Sequence, residues 1–423
     1  MAAFSNGNQV STMIKRITLL GSSSGRNAGD AALIGSIMDS VDETLGRRIT
    51  YEIPTICPSY ITDQYDNDTV PIGMMPWHAS VKMLGIPTYR SVMRTDLTLI
   101  FDAILFDRSL YNPLFNFMWT LDKILPAAKK KGKQFGYFNV GTGPVNTPAG
   151  KAILRRLSDQ ADFITTRDIA SEGILAEVGV TNPLRVITAD AAVRLKASPE
   201  ERVREIYQEI GLDPDQEILA INVNRYIDTW ADDGKRESMG AEKFSDTFAK
   251  AIDIVVKELN VPVLFVNTQH HDVPIAQAVV DKMQKLTPTK LCNNTTYNHY
   301  EIKGVLGKAS LLFGMRLHAN ILGSSAMTPI VGLNYQPKVK FYFDLLGLDE
   351  YTMSFDNFSV EGLAAHMQKG WAERDHIRGL LEERIPRLQA RAHSPAQFVK
   401  AVDEGSSLAA VADSLKANPI PVI

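Results

Sequence analysis

A chain of 423 residues, 45% apolar and 22% charged, has apolar surface for two large cores and is not intrinsically disordered. Its formal net charge of −3 excludes a general attraction to nucleic acid or to an anionic membrane, so any anion site has to be local. The two cysteines, Cys57 and Cys292, lie far apart in sequence, which argues against a disulfide framework or a cysteine-based zinc site and fits a reducing compartment.

Residues 1–13 are polar, lack a signal-like apolar core and read as a flexible extension. No apolar run approaches the ~18 residues of a transmembrane helix, and the expected location is cytoplasmic. The sequons at Asn67, Asn293, Asn294 and Asn357 matter only on a secretory route, for which there is no signal. A strand is expected over 17–20, a loop from Gly21, a helix over 30–45 and a strand over 49–56. Between Cys57 and Arg94 the residues follow no clean period. Strands are expected at 102–106 and 135–140, the second with Gly141-Thr-Gly-Pro144 behind it. A helix over 149–160 puts Ile153, Leu154 and Leu157 on one face. A strand at 163–165, a helix over 168–178 and a strand at 184–187 close the first half.

The polar stretch 196–205 marks a boundary. Beyond it the alternation resumes, with strands at 218–223, 261–266, 310–313 and 330–333 and helices over 243–259, 273–285, 300–307 and 339–346. From about Glu361 the chain is helical and charged. Strands alternating with helices imply parallel βαβ units. The predicted class is α/β, with two Rossmann-like domains facing a central cleft, over 14–196 and 197–358, and a helical segment over 359–423.

Most of the chemistry follows strand ends, where open α/β sheets bind ligands. In Phe313-Gly-Met-Arg-Leu-His-Ala319 an arginine and a histidine, two residues apart, sit where a strand hands over to a helix. A helix N-terminus there suits an anion. Arg316 offers a planar fork for carboxylate or phosphate, and His318 can exchange a proton near neutral pH. Arg225 follows the first strand of this half and Lys338 the last. Arg225 could equally pair with Asp228, and a lone lysine after a strand is usually solvated. As a set, Arg225, Arg316, His318 and Lys338 could hold a small, multiply charged anion.

The first strand-to-helix loop, Gly21-Ser-Ser-Ser-Gly-Arg-Asn-Ala-Gly-Asp30, lacks the spacing of a dinucleotide loop or a P-loop. Asn27 and Asp30 either face a ligand or cap the helix. His270-His271-Asp272 has no spaced third ligand for a metal, and Asp272 reads as a cap for the next helix. His78 and His299 read as surface or core residues. The run Ala128-Lys-Lys-Lys-Gly-Lys133 complements a helix C-terminus and reads as a solvated face.

In order and spacing these segments resemble the polysaccharide pyruvyltransferase family, from about Ile14 to Leu348. The resemblance rests on Asn27-Ala-Gly-Asp30, Gly141-Thr-Gly-Pro144, Thr166-Arg-Asp with Ser171 and Leu175, Ala189-Asp190, Arg225, Arg316-Leu-His-Ala319 and Tyr335 to Lys338. One departure stands out. The family carries a Gly-Gly pair after the mid-domain strand expected at 102–106, where this chain has Asp107-Arg-Ser109.

The resemblance implies a fold similar to the GT-B glycosyltransferases, phosphoenolpyruvate as donor, a sugar diol as acceptor and a pyruvate ketal as product. The family's donor-site positions match Arg316, Leu317 and His318, with Arg225 a further donor arginine and Lys338 carried over beside them. His318 is then the expected proton donor to the methylene carbon, or alternatively a phosphate ligand that protonates the leaving group. Asp30 and Asp190 are the candidate acceptor bases, and Asn27 and Asp30 the expected acceptor side. No metal or cofactor is expected, because arginine and lysine carry the charge. The expected partners are phosphoenolpyruvate and a sugar or lipid-linked oligosaccharide, with no nucleic acid. Peripheral membrane contact and homo-oligomers stay open. Two other readings also stay open. One is a nucleotide-sugar glycosyltransferase on the same fold, and the other a catalytically silent sugar-binding or scaffold protein of polysaccharide assembly.

Overall fold

Short runs rich in Leu, Ile, Val, Phe and Thr form strands that are buried on both faces, the signature of parallel sheets covered by helices. The computed structural model describes residues 13–73, 85–111, 116–225 and 240–419. The first sheet contains β1 (Arg16–Leu20), β2 (Thr50–Thr55), β3 (Thr69–Gly73), β4 (Leu97–Ile100), β5 (Gln134–Val140), β6 (Phe163–Thr166) and β7 (Arg185–Ile187). All its pairs are parallel, in the order β3-β2-β1-β4-β5-β6-β7. The second contains β8 (Leu219–Asn222), β9 (Val263–Asn267), β10 (Thr289–Asn293), β11 (Leu311–Gly314), β12 (Ile330–Asn334) and β13 (Thr352–Ser354). It is also fully parallel, in the order β10-β9-β8-β11-β12-β13. In each sheet the winding reverses once, between β1 and β4 and between β8 and β11, which creates a topological switch point.

The chain falls into two units. Met1–Gly25, Leu33–Ala191 and Ala390–Ile420 form the first, and Arg26–Ala32, Ala192–Gln389 and Pro421–Ile423 the second. The expected pair of parallel α/β domains is therefore present, with different borders. The boundary falls in Ala189, Ala191, Ala192 and Val193, all buried. The polar stretch after it, expected to mark the boundary, leads into the helix Glu200–Ile210. The charged C-terminal segment does not stand apart. Val360–Ala372 packs on the second sheet so closely that a Cβ on Gly370 would lie 2.3 Å from Val331 Cγ1. Ala396–Glu404 belongs to the first unit, where Phe398 stacks on Phe163 of β6 at 4.7 Å.

The strand expected at 102–106 lies earlier, at β4. Two apolar runs follow one another here, and only the first is paired on both sides, with β1 and β5. Residues 102–106 keep a single bridge, Leu105 to Thr142, and Asp102 breaks the extended chain at φ 65°. The unanticipated strands β3, β10 and β13 are all sheet edges and only partly buried. Half their residues face away from the core, so they carry little apolar signal, and Pro71 in β3 is tolerated because an edge strand can lack a donor. In the second unit Phe248 meets Phe313 edge-on at 5.6 Å and Phe244 at 4.7 Å, which braces β11 from behind.

Both cysteines are free thiols. Among the described residues no helix is long and apolar enough to cross a membrane.

Fully buried His299 opens the helix His299–Leu306, and burial pushes its pKa down to about 3. The folded state keeps it neutral, while the unfolded state takes up a proton near pH 6.5. The stability this provides is complete above about pH 6.5 and is lost as the pH falls toward 3. Between pH 6.5 and 5 the loss should reach roughly 1.5 kcal/mol. Urea unfolding of wild type and His299→Phe across this range should show a flatter profile for the variant. Parallel profiles would mean that His299 takes up its proton in the fold.

Candidate active site

At the switch point of the second sheet, Asn222 ends β8, fully buried, and ties three strands together. Its Nδ2 donates to Val266 O at 2.8 Å, its Oδ1 accepts from Arg316 N at 3.0 Å, and its carbonyl accepts from Met315 N at 3.0 Å. Arg316 is the N-cap residue of the helix Leu317–Ser325, directly beyond β11. The tight turn needs Gly314, where a Cβ would lie 2.1 Å from Asn320 Oδ1. Asn320 in turn donates to Gly314 O at 3.2 Å and Arg316 O at 3.1 Å.

The guanidinium of Arg316, only 13% exposed, is gripped by Asp272. Nη2 donates to Oδ1 at 2.9 Å and Nε donates to Oδ2. Asp272 Oδ1 also accepts from Arg225 N at 3.1 Å. Asp272 is completely buried and makes no side-chain cap bond to the helix Val273–Lys282. The cap reading of Asp272 is therefore corrected: its carboxylate turns inward to the two arginine-bearing segments. Its neighbour His270 has its pKa lowered by burial and by the nearby His271 and Arg26, against a smaller opposing effect of Asp272. Among the described residues no group of three or more His, Cys, Asp or Glu side chains is set to hold a metal.

His318 lies in the first turn of the same helix, against the Asn27–Asp30 loop. A Cβ on Gly29 would come 2.2 Å from His318 Cγ and Nδ1 and 2.4 Å from its Cβ. The loop is tied to the second unit by its backbone. Asn27 bridges Gln269, Ala28 N donates to Thr268 O at 2.7 Å, and Arg26 O accepts from His270 N at 3.3 Å and Asn294 Nδ2 at 3.0 Å. Within it, Asn27 Oδ1 accepts from Gly29 N at 2.9 Å and Nδ2 donates to Asp30 Oδ1 at 2.8 Å. Asn27 and Asp30, expected on the N-terminal half, thus belong with His318, at the start of the helix Ala28–Leu45.

The other expected residues are spread more widely. Leu317 is buried beside Arg316. Arg225 is exposed just beyond β8, and Lys338 is exposed in the first turn of Pro337–Leu345, beyond β12. Asp228 lies outside the described residues, as does His78. Asp190 belongs to the first unit, where its Oδ2 accepts from Arg167 Nη1 at 3.1 Å, both side chains 7% exposed. Burial opposes the charge on Arg167, but Asp190, Asp168 and Asp102 outweigh it and hold the guanidinium above its ordinary range. Gly141 leaves room for it, since a Cβ there would lie 2.7 Å from Arg167 Cζ. Three family-like motifs, around Gly141, Arg167 and Asp190, therefore build one buried ion pair.

The loop that departs from the family pattern is also explained locally. Asp107 is buried, and its Oδ2 accepts from Asn146 N at 2.8 Å and Thr147 N at 2.5 Å, ahead of the helix Pro148–Gln160. Because β4 ends at Ile100, the residues that first leave the sheet are Phe101 and Asp102 rather than Asp107-Arg-Ser109. Asp102 holds φ 65°, a conformation that favours glycine.

Sequence reasoning missed Asp272 as a partner of Arg316, Asn222 as a strand tie and Gly29 as the seat of His318. Only Gly29 left a trace, as the glycine of the Asn-x-Gly-Asp segment.

Two parallel-sheet α/β units of Rossmann order, one with arginines and a histidine at its switch point, define a protein of GT-B-like fold. Solved structures of similar fold include a Listeria monocytogenes protein described as a UDP-N-acetylglucosamine 2-epimerase, at 12% identity and TM-score 0.62, covering 94% of this chain and 98% of that one. A UDP-GlcNAc 2-epimerase from Neisseria meningitidis bound to UDP-GlcNAc matches at 11% identity and TM-score 0.60, covering 92% and 100%. An Anabaena protein in complex with UDP and glucose matches at 11% and 0.52, covering 95% and 98%. No curated protein is significantly similar in sequence. The polysaccharide pyruvyl transferase family profile matches residues 27–337, and the chain belongs to that family.

Gly29→Ala tests how His318 is held. Helix propensity alone favours alanine by about 1 kcal/mol, but the new methyl would overlap the root of the His318 side chain. The variant should melt lower than wild type and shift the His318 ring resonances in NMR spectra. A higher melting temperature with unchanged resonances would contradict the packing.

Proposed function

We propose that this transferase moves the pyruvyl group of phosphoenolpyruvate onto two hydroxyls of a sugar in a polysaccharide or its precursor, releasing phosphate. The observation that carries the reading is the position of Arg316 and His318 beyond β11, with Arg225 beyond the adjacent β8, at the switch point of the second sheet in a chain of this family. Phosphoenolpyruvate carries a carboxylate and a phosphate. Arg316 and Arg225 suit these groups, because arginine pairs with either through two parallel hydrogen bonds. Lys338 adds a point charge, and Leu317, between Arg316 and His318, is buried.

In the proposed reaction His318 gives a proton to the methylene carbon, and the central carbon becomes oxocarbenium-like. One acceptor hydroxyl attacks it and loses its proton to a base. Phosphate then leaves, and the second hydroxyl closes the ketal as its proton passes to the departing phosphate. Asp30 suits the base better than Asp190, since it adjoins the glycine that seats His318, whereas Asp190 is committed to Arg167. Arginine, lysine and histidine supply the charge and the proton, so the proposal invokes no cofactor.

The fold's likeness to proteins solved with UDP or a UDP-sugar favours one second reading, transfer from a nucleotide sugar. Phosphate release tells the two apart when phosphoenolpyruvate is supplied with a panel of hexose glycosides. Wild type should release phosphate only with both substrates present. His318→Ala should lower kcat by about 100-fold or more, as expected for loss of a general acid. Arg316→Lys should raise the donor KM. Unchanged turnover in His318→Ala would remove it from the chemistry. Thermal protection by a UDP-hexose but not by phosphoenolpyruvate would replace the donor.

A further inference from the structure

We propose that Asp272 is a positioning residue for the anion site: it aims the Arg316 guanidinium and sets the start of the Arg225 loop. The inference rests on the donor-site reading above and adds a residue that touches no substrate.

Asp272 gathers both sides of the switch point onto one carboxylate. Oδ1 takes the backbone N–H of Arg225 beyond β8, and both oxygens take the guanidinium of Arg316 beyond β11. A guanidinium has five N–H donors in a planar fork. Asp272 meets the edge made by Nε and Nη2, which fixes the plane of the group. The end-on edge, between Nη1 and Nη2, is turned away from Asp272. That second edge has the spacing for a carboxylate or phosphate.

Two effects of Asp272 oppose each other. Its negative charge repels an incoming anion, while its grip removes the rotational freedom that the guanidinium would otherwise lose on binding. The proposal gives the second the larger weight, because Asp272 is fully buried at the start of a helix and meets the guanidinium through two of its nitrogens. A fork aimed in advance loses less entropy when it pairs. Small errors of aim are expensive in a reaction that needs oriented partners.

The test is calorimetric titration with inorganic phosphate of wild type, Asp272→Asn, Arg316→Lys and the double variant. Asparagine keeps the shape of the side chain but turns an amide toward the guanidinium. Asp272→Asn should weaken phosphate binding by about tenfold or more, a 1.4 kcal/mol step. A lysine ammonium is a point charge with no plane to orient. In the Arg316→Lys background the same change should therefore alter affinity by no more than about threefold, the non-additivity expected of coupled residues. Equal weakening in both backgrounds would show that Asp272 merely supports the fold, and tighter binding by Asp272→Asn would show that it only repels anions. Either result overturns the proposal, as does a wild type that does not bind phosphate.

Should Asp272→Asn fail to fold, the wild-type Arg316 Nε–H resonance decides. It should keep its hydrogen-bonded position and slow exchange when phosphate is added. Its loss on binding would mean that Arg316 leaves Asp272 for the ligand, which contradicts a positioning role. The phosphate titration involves no turnover. A wild type that binds phosphate but never turns over phosphoenolpyruvate would end the donor reading and leave this one decided by the cycle.

Discussion

The carboxylate of Asp272 is the point on which the second unit's site depends. A wholly buried carboxylate is tolerated only with strong partners, and removing one typically costs ~3–5 kcal/mol. Here the partners are a side chain from one strand end and a backbone N–H from another. The same contacts that satisfy Asp272 bring the ends of β8 and β11 into register at the switch point. Asn222 repeats the arrangement one layer deeper, holding Arg316 by its backbone. The arginine is thus fixed at both ends, with its main chain on Asn222 and its guanidinium on Asp272. An arginine held in this way suits recognition of a small anion better than one that must first be ordered.

His318 is placed by different means. No charge seats it. The loop of Asn27 to Asp30, remote in sequence, is tied by main-chain bonds to Thr268, Gln269 and His270, and its glycine leaves just enough room for the ring. Both devices converge on the same short stretch, because Thr268 to Asp272 follows β9 directly and feeds both the loop and the arginine. That stretch carries no family-like motif, yet the geometry of two motifs depends on it.

Much of the architecture was legible in the sequence because parallel strands buried on both faces read as continuous apolar runs, as β5, β8 and β11 do. The losses have physical causes. Edge strands such as β3, with Pro71 and three half-buried positions, resemble loops. Two apolar runs separated by Asp102 could not be ranked, because only pairing with β1 and β5 selects the first. The unit boundary lies in apolar residues and has no compositional trace. In the site, Arg316 and His318 were legible from their place after a strand. Asp272 was not, because an acid before a helix has the same local signature whether it caps that helix or grips an arginine 44 residues away. Arg167 and Asp190 were legible as motifs, but that they form one ion pair was not.

The first unit uses the same physics to a different end. Its buried Arg167 and the helix start ahead of Pro148 are both filled by the chain's own carboxylates, Asp190 and Asp107. In the second unit Asp272 grips the arginine at the switch point through Nε and Nη2. The central claim is that phosphoenolpyruvate occupies this site, and a crystal structure of the protein with phosphoenolpyruvate tests it most directly. The account predicts the carboxylate or phosphate of the ligand against the end-on edge of Arg316, with the methylene carbon toward His318 and the Asp272 contact intact. Ligand density away from Arg316, or a nucleotide sugar occupying the place where phosphoenolpyruvate fails to bind, would contradict it.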